Sequence, residues 1–303
     1  MSRLATALVF ASRLFAAPPE EHARVTEPGS AEFAHARELY QRTEYQASLK
    51  LLMPLANKDS GDLQLMGQDY FMLGDAKKAT DNFDKALAAL QASRKPAPNQ
   101  AADAELYVWL GRAYGRRAES SGPFTAPGLA SRARQYFETA VQLDILNKQA
   151  TGDLFDYYMG APGFLGGGSN KAQELARKVS AADPAEGQHL LAVLSEKNKE
   201  YDAAEQHLRQ AIKLAPQQAS RVMELARFLA KRGRLKESDA LFEQAARMAP
   251  EDNTIRFVRA ETYIEGKRNL SDARALLEKY IRAPLTPDDP PRQRAQELLA
   301  KTH

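Results

Sequence analysis

The residues of this chain whose types could do chemistry are five histidines, one triple glycine and a few carboxylate pairs. The histidines are His22, His35, His189, His207 and His303. No two stand four residues apart and no H-E-x-x-H occurs, so the helical spacing that turns two imidazoles toward one zinc ion is missing. Gly166-Gly167-Gly168 invites a phosphate-loop reading, but that loop needs G-x-x-x-x-G-K-S/T, and here Lys171 follows Ser169-Asn170. A turn is the better expectation, with Ser169 or Asn170 capping the next helix. Cysteine is absent, which excludes disulfides, thiolate nucleophiles and cysteine zinc sites. There is no G-x-S-x-G elbow, and the pairs Glu20-Glu21 and Asp288-Asp289 fall in loop-like stretches where solvation suffices. These residues call for no catalytic role, no metal and no cofactor, and the expectation is a protein that is not an enzyme.

Composition narrows the field further. The chain has 303 residues, 44% of them hydrophobic, with 42 Lys+Arg against 39 Asp+Glu and a formal net charge of +3. That near balance gives no electrostatic footprint for nucleic acid. No stretch reaches the eighteen or so apolar residues of a membrane span. Residues 1–19, MSRLATALVFASRLFAAPP, hold two arginines, no acid and an apolar run from Leu4 to Ala11, ending in Ala16-Ala17 before Pro18. This is the build of a secretory signal, implying an exported, periplasmic protein, although Arg13 interrupts the apolar run and Phe15 stands where a small residue is wanted. An organelle-targeting peptide and a plain N-terminal helix are the other readings.

The elements that position everything else are repeated. Leu63, Met66, Gly67 and Tyr70, followed by Ala79, Phe83 and Ala86, form one helix-turn-helix pattern around Gly74-Asp75. Its second half recurs as Ala133-Phe137-Ala140, Ala172-Ala176-Val179, Ala204-Leu208-Ala211, Ser238-Phe242-Ala245 and Ala273-Leu277-Tyr280, with a weaker early copy at Ser48-Leu52-Leu55. The copies that begin at 172, 204, 238 and 273 stand 32, 34 and 35 residues apart. Pro184, Pro216, Pro250 and Pro284 keep the same beat, each closing a unit because proline cannot continue a helix. Small residues at Ala79, Ala133 and Ala204 admit a close helix partner, and Phe83, Phe137 and Phe242 fill the space between units.

This pattern resembles the tetratricopeptide repeat, W-x2-L-G-x2-Y then A-x3-F with a 34-residue period, Leu63 standing in place of the tryptophan. The resemblance covers about residues 29–285. It implies an all-α, right-handed superhelical solenoid of about seven helix-turn-helix units: 29–61, 60–93, 104–147, 148–184, 185–217, 218–251 and 252–285. Residues 20–28 and 94–103 read as linkers, and 286–303 as a C-terminal capping helix on which Ala295, Leu298 and Leu299 cover the last repeat. The fourth unit, with APGFLGGGSNKA, is similar to a variant seen in exported bacterial proteins of this family. The family's carboxylate clamp of Lys and Asn is not matched, since Phe33 and Arg37, Gln64 and Gln68, and Glu105 and Trp109 occupy those positions.

A groove lined by the first helices is what the resemblance implies as the binding surface, and its partner is another protein or a peptide. By register the lining is Arg37, Tyr40, Gln64, Gln68, Phe71, Trp109, Arg112, Arg116, His189, Met223, Arg227 and Lys231, a mixed aromatic and basic surface suited to an acidic or mixed peptide. Packing against neighbouring helices is the alternative for the same residues. The Tyr-to-Ala spacing of nine in the second unit (70 to 79) grows to nineteen in the third (114 to 133) and fourteen in the fourth (158 to 172). Long loops are therefore expected at 115–131 and 160–169, with Phe124, Phe164 and Leu165 as a second contact surface or as internal packing. The function expected is a protein-interaction scaffold, in the cell envelope if the N-terminal segment is an export signal. A non-catalytic regulatory or substrate-recruiting subunit of an enzyme is the alternative. An RNA-reading helical repeat fits less well because the groove is not strongly basic.

Overall fold

The computed structural model describes residues 31–93 and 100–302, with side chains from 102 onward in the second stretch. The signal-like segment 1–19, the linker 20–28 and positions 94–99 lie outside the described residues. Among the described residues there are fifteen α-helices, one 3-10 turn and no strand. The described chain divides into one compact unit up to Leu175 and a second from Ala176.

In the first unit, helices α1 (Ala31–Gln41) and α2 (Tyr45–Leu52), α3 (Ser60–Met72) and α4 (Ala76–Ala92), and α5 (Gln100–Glu119) and α6 (Ala126–Leu143) pair as antiparallel hairpins, followed by α7 (Lys148–Gly160) and the start of α8 (Ser169–Ala182). The second unit holds the rest of α8 and the hairpins α9 (Pro184–Lys197) with α10 (Tyr201–Leu214), α11 (Ala219–Lys231) with α12 (Leu235–Met248), and α13 (Asn253–Glu265) with α14 (Leu270–Arg282). The last helix, α15 (Arg292–Leu299), packs on α14 and α13 and buries Ala295 and Leu298. The chain is a helical repeat array.

Local chemistry sets these boundaries. Asp59 accepts from the Asp62 N–H at the start of α3 while Asp62 accepts from the Asp59 N–H, a reciprocal capping box. Asp75, Asn147, Asp183 and Asp252 cap α4, α7, α9 and α13 with their side chains. In most of the hairpins, though not between α5 and α6, the chain reverses through a left-handed residue. In the second unit this residue falls at Lys199, Gly233 and Lys267, with φ of 64°, 76° and 49°. Sharing a position one repeat apart, they let the N–H groups after each first helix return to its last carbonyls.

The close approach of paired helices is visible at two glycines. A Cβ on Gly67 would lie 2.6 Å from the Phe83 ring, and one on Gly111 would meet the Phe137 ring closer still. Phe83 and Ala79 are fully buried, as are Ala204 and Ala211 in the second unit. Each buried aromatic or leucine contributes roughly 1.5–3 kcal/mol, so a few such layers hold each hairpin together.

Two sequence expectations change here. The linker expected at 94–103 is cut short, because α5 begins at Gln100 and Asp103 and Ala104 are already buried. The loop expected at 115–131 is mostly helix: α5 runs on to Glu119 and α6 starts at Ala126, leaving a turn of 120–125. The added residues lengthen two helices that lean on each other, which satisfies their backbone groups internally.

Candidate binding face

On α5, Trp109, Arg112 and Arg116 recur at helical spacing and so share one face. Phe71, near the end of α3, meets Trp109 edge-on, with ring centroids 5.5 Å apart and planes at 74°. Trp109 in turn stacks on Phe83, 6.1 Å away at 20°. The Arg112 guanidinium lies 5.2 Å over the Trp109 ring and that of Arg116 lies 5.6 Å over Phe71. The result is a ladder of rings and guanidinium groups rooted in the core at Phe83 and reaching water at Arg116, whose side chain is 48% exposed and whose Nε lies 3.7 Å from a Glu119 carboxylate oxygen. Arg112 is also tied to Asp153 on α7, Nε to Oδ2 at 2.5 Å, and Gln68 Nε2 donates to Glu105 at 3.4 Å. A guanidinium packed over an aromatic ring loses less freedom when it meets a carboxylate.

The residues that sequence register places together divide in this structure. Trp109 and Gln68 are buried as packing, and Tyr40 is buried among Ala36, Leu49 and Leu52, so these face neighbouring helices and offer no contact area. Met223 is likewise core. Gln64, Phe71 and Arg37 are half-buried, and Arg116 is exposed.

In the second unit the expected lining is closed by ion pairs. His189 Nδ1 lies 2.9 Å from a Glu224 carboxylate oxygen, Lys231 Nζ donates to Glu196 at 3.0 Å, and Arg221 bridges Glu186 and Glu224. Arg227 is half-buried on the same helix. Arg221 and Glu186 are 5% and 7% exposed, so this is an interior charge cluster. Burial alone would lower the His189 imidazole, but the Glu224 charge outweighs it and raises it. Burial alone would raise Glu224, yet His189 and Arg221 hold it at about 2. Sequence reasoning missed Glu186, Glu196, Arg221 and Glu224. The signal was there: Glu186 and Arg221, His189 and Glu224, and Glu196 and Lys231 all stand 35 residues apart, one repeat on.

On the turn side of the first unit, Phe124 is 99% and Phe164 is 82% exposed, while Leu165 is 6% exposed. Leu165 belongs to the 3-10 turn Gly163–Leu165, and its carbonyl accepts from the buried Tyr157 hydroxyl at 2.9 Å. The glycines behind it make a fixed structure. Gly166 and Gly168 have φ of 87° and 146°, a Cβ on Gly166 would lie 2.7 Å from Arg134 Nε, and one on Gly167 would clash with the Ala161 carbonyl. The Gly168 N–H donates to the Tyr158 carbonyl and Lys171 Nζ to the Gly166 carbonyl. Ser169 and Asn170, expected as caps, lie inside the first turn of α8. Among the described residues no cluster of three or more His, Asp or Glu is arranged to hold a metal, and no helix is long and apolar enough to cross a membrane.

Comparison with known proteins agrees with the hairpin geometry. Tetratricopeptide-repeat family profiles match residues 222–290 and 185–218. No curated protein matches the chain. Among solved structures, a tetratricopeptide repeat protein from Parabacteroides merdae is similar at 13% identity and a TM-score of 0.54, covering 89% of this chain and 97% of that one. A thermophilic protein of the same repeat class from Thermus thermophilus aligns at 18% identity and a TM-score of 0.48, covering 65% of this chain and 97% of that one. At such identities the likeness concerns the fold.

Proposed function

We propose that this chain, a tetratricopeptide-repeat protein, is a non-catalytic scaffold that holds an acidic or mixed peptide segment of another protein against the first helices of its first unit. The coarse part of this reading, protein–protein interaction, rests on the repeats themselves. The finer part rests on one observation: the ladder from Phe83 through Trp109 and Phe71 ends in Arg116, an arginine oriented by a ring and open to water. A carboxylate arriving there meets an arginine already packed over a ring and held by Glu119 only at 3.7 Å, and Phe71 offers apolar surface beside it. Half-buried Gln64 lies two helical turns back from Phe71 on α3 and extends the same face with amide donors and acceptors. The paired face of α9 and α11 contributes less: His189 and Lys231 stand 2.9 and 3.0 Å from Glu224 and Glu196, whereas Arg116 holds Glu119 only at 3.7 Å.

The test is affinity capture from envelope extract with the wild type and with Phe71→Ala combined with Arg116→Glu. Circular dichroism controls for helical content. The expected result is loss of a defined partner from the variant at unchanged helicity. Equal capture by both proteins rejects this face. The identity of the captured protein separates a scaffold among structural envelope proteins from a recruiting subunit of one enzyme. The envelope setting rests on the composition of residues 1–19, and mass analysis of the protein from its native host tests it: an intact Met1 or Ser2 in a cytosolic fraction rejects export.

A further inference from the structure

A second surface lies at the hairpin-turn edge of the first unit, apart from the ladder. The turn from α3 to α4 and the end of α5 enclose an open cleft of about 560 Å³, lined by Leu73, Ala76, Lys77, Arg117, Ser120 and Ser121. That volume is within the roughly 300–1,000 Å³ of small ligand sites, but its openness suits side chains projecting from a strand of peptide. Its charge is unbalanced. Lys77 is exposed; Arg117 is half-buried, its guanidinium 5.8 Å over the Tyr114 ring, and the acids that feel these two cations, Asp75 and Asp84, do so without a direct ion pair to either. The cleft's one acid, Asp75, is already engaged: it caps α4 by accepting from the Lys78 N–H at 3.0 Å and pairs with Lys78 Nζ at 3.0 Å. The first turn of α4 adds the positive end of a seventeen-residue helix dipole. The two serines carry no charge, and their hydroxyls donate back to α5 carbonyls, Ser121 Oγ to Arg117 at 2.6 Å and Ser120 Oγ to Arg117 at 3.2 Å. The same lining holds one large apolar side chain, Leu73, which is 42% exposed.

We infer that this cleft docks a short acidic peptide in which glutamate or aspartate flanks an aliphatic residue: the carboxylates meet Lys77 and Arg117 and the aliphatic side chain covers Leu73. Charge complementarity chooses this occupant over a basic or neutral one, because two cations outside any direct ion pair and a helix N-terminus face the same space. The inference stands independently of the Phe71 and Arg116 face.

The probe is a fluorescein-labelled synthetic octapeptide of alternating glutamate and leucine, followed by fluorescence anisotropy. The wild type is expected to bind it saturably and to release it as salt rises. Lys77→Glu with Arg117→Glu should weaken binding at least tenfold, and Leu73→Ser severalfold. The milder Lys77→Gln with Arg117→Gln should weaken it in the same direction while leaving less repulsion in the fold. Lys213→Glu with Lys236→Glu changes the net charge by the same amount on exposed positions of the second unit and should leave affinity within twofold. The inference is overturned if no saturable binding occurs, if the two charge-reversed proteins lose affinity equally, or if an octapeptide with lysine in place of glutamate binds as well.

Discussion

Ser48 Oγ on α2 donates a 2.7 Å hydrogen bond to Asp69 Oδ2 on α3, and both residues are fully buried. The second carboxylate oxygen, Oδ1, is buried with no hydrogen-bond partner. Burial pushes this carboxyl up from the usual 3.8 to about 7, against the opposing pull of the serine. The unfolded chain gives up that proton near 3.8, while the folded protein keeps it to about 7. The folded state therefore holds the extra proton across this window, and stability falls as pH rises through it. Urea midpoints should decline from pH 4 to pH 7 by an amount on the order of 2–4 kcal/mol in stability. Asp69→Asn should flatten that decline. An unchanged slope in the variant would assign the pH dependence to other groups.

Gly67 and Gly111 predict opposite behaviour from a third glycine. Gly67→Ala and Gly111→Ala force a methyl into the rings of Phe83 and Phe137 and should cost roughly 1–3 kcal/mol, and Ala79→Leu should cost a similar amount because Ala79 is fully buried. Gly115 lies within α5 with nothing near its missing Cβ. Gly115→Ala should therefore stabilise by about 0.5–1 kcal/mol through helix propensity alone. Thermal melts that rank all four together would contradict the packing.

The interior cluster of the second unit predicts strong asymmetry. Arg221→Met strands Glu186 and should cost about 3–5 kcal/mol, whereas Arg221→Met with Glu186→Leu removes both charges and should recover much of that loss. A denaturant-based double-mutant cycle reads the coupling. Additive losses would mean the two side chains do not meet.

The glycine-rich turn separates neighbours. Leu165→Ala should destabilise by about 2–5 kcal/mol, since that side chain is buried. Phe164→Ala, 82% exposed, should stay within about 0.5 kcal/mol of wild type. Equal effects in calorimetry would place Phe164 in the interior.

The helical array was legible because close helix packing demands small residues at fixed spacing, so Ala79, Ala133 and Ala204 announce it. The turn lengths were less legible. The distance from Tyr114 to Ala133 counts inserted residues but not whether they coil or extend the flanking helices, and α5 and α6 absorbed most of them. Aromatic residues at groove register were ambiguous for a physical reason: Trp109 and Tyr40 fill space between helices as readily as they line a surface, and which they do depends on neighbours such as Phe83 and Leu49 on the second helices. His189 and Lys231 counted toward a basic lining because each was considered without its acid 35 positions away. Leu165 was legible as apolar, but its inward turn depends on the conformations of Gly166 and Gly168.

Arg234, after the reversal at Gly233, reaches back to Glu205 on α10, Nη1 to Oε2 at 2.5 Å, and Arg268, after Lys267, reaches back to Asp239 on α12 with two 2.9 Å hydrogen bonds. Both members of the clasp move on by 34 residues, so acid and arginine of each lie inside a single period. A tandem duplication of residues 201–234 would bring its own clasp and its own left-handed glycine, and every junction would meet the acid it expects. The length of such an array is thus open to change by unequal recombination in whole periods, while a slip of a few residues would leave an arginine facing the wrong side of its neighbour.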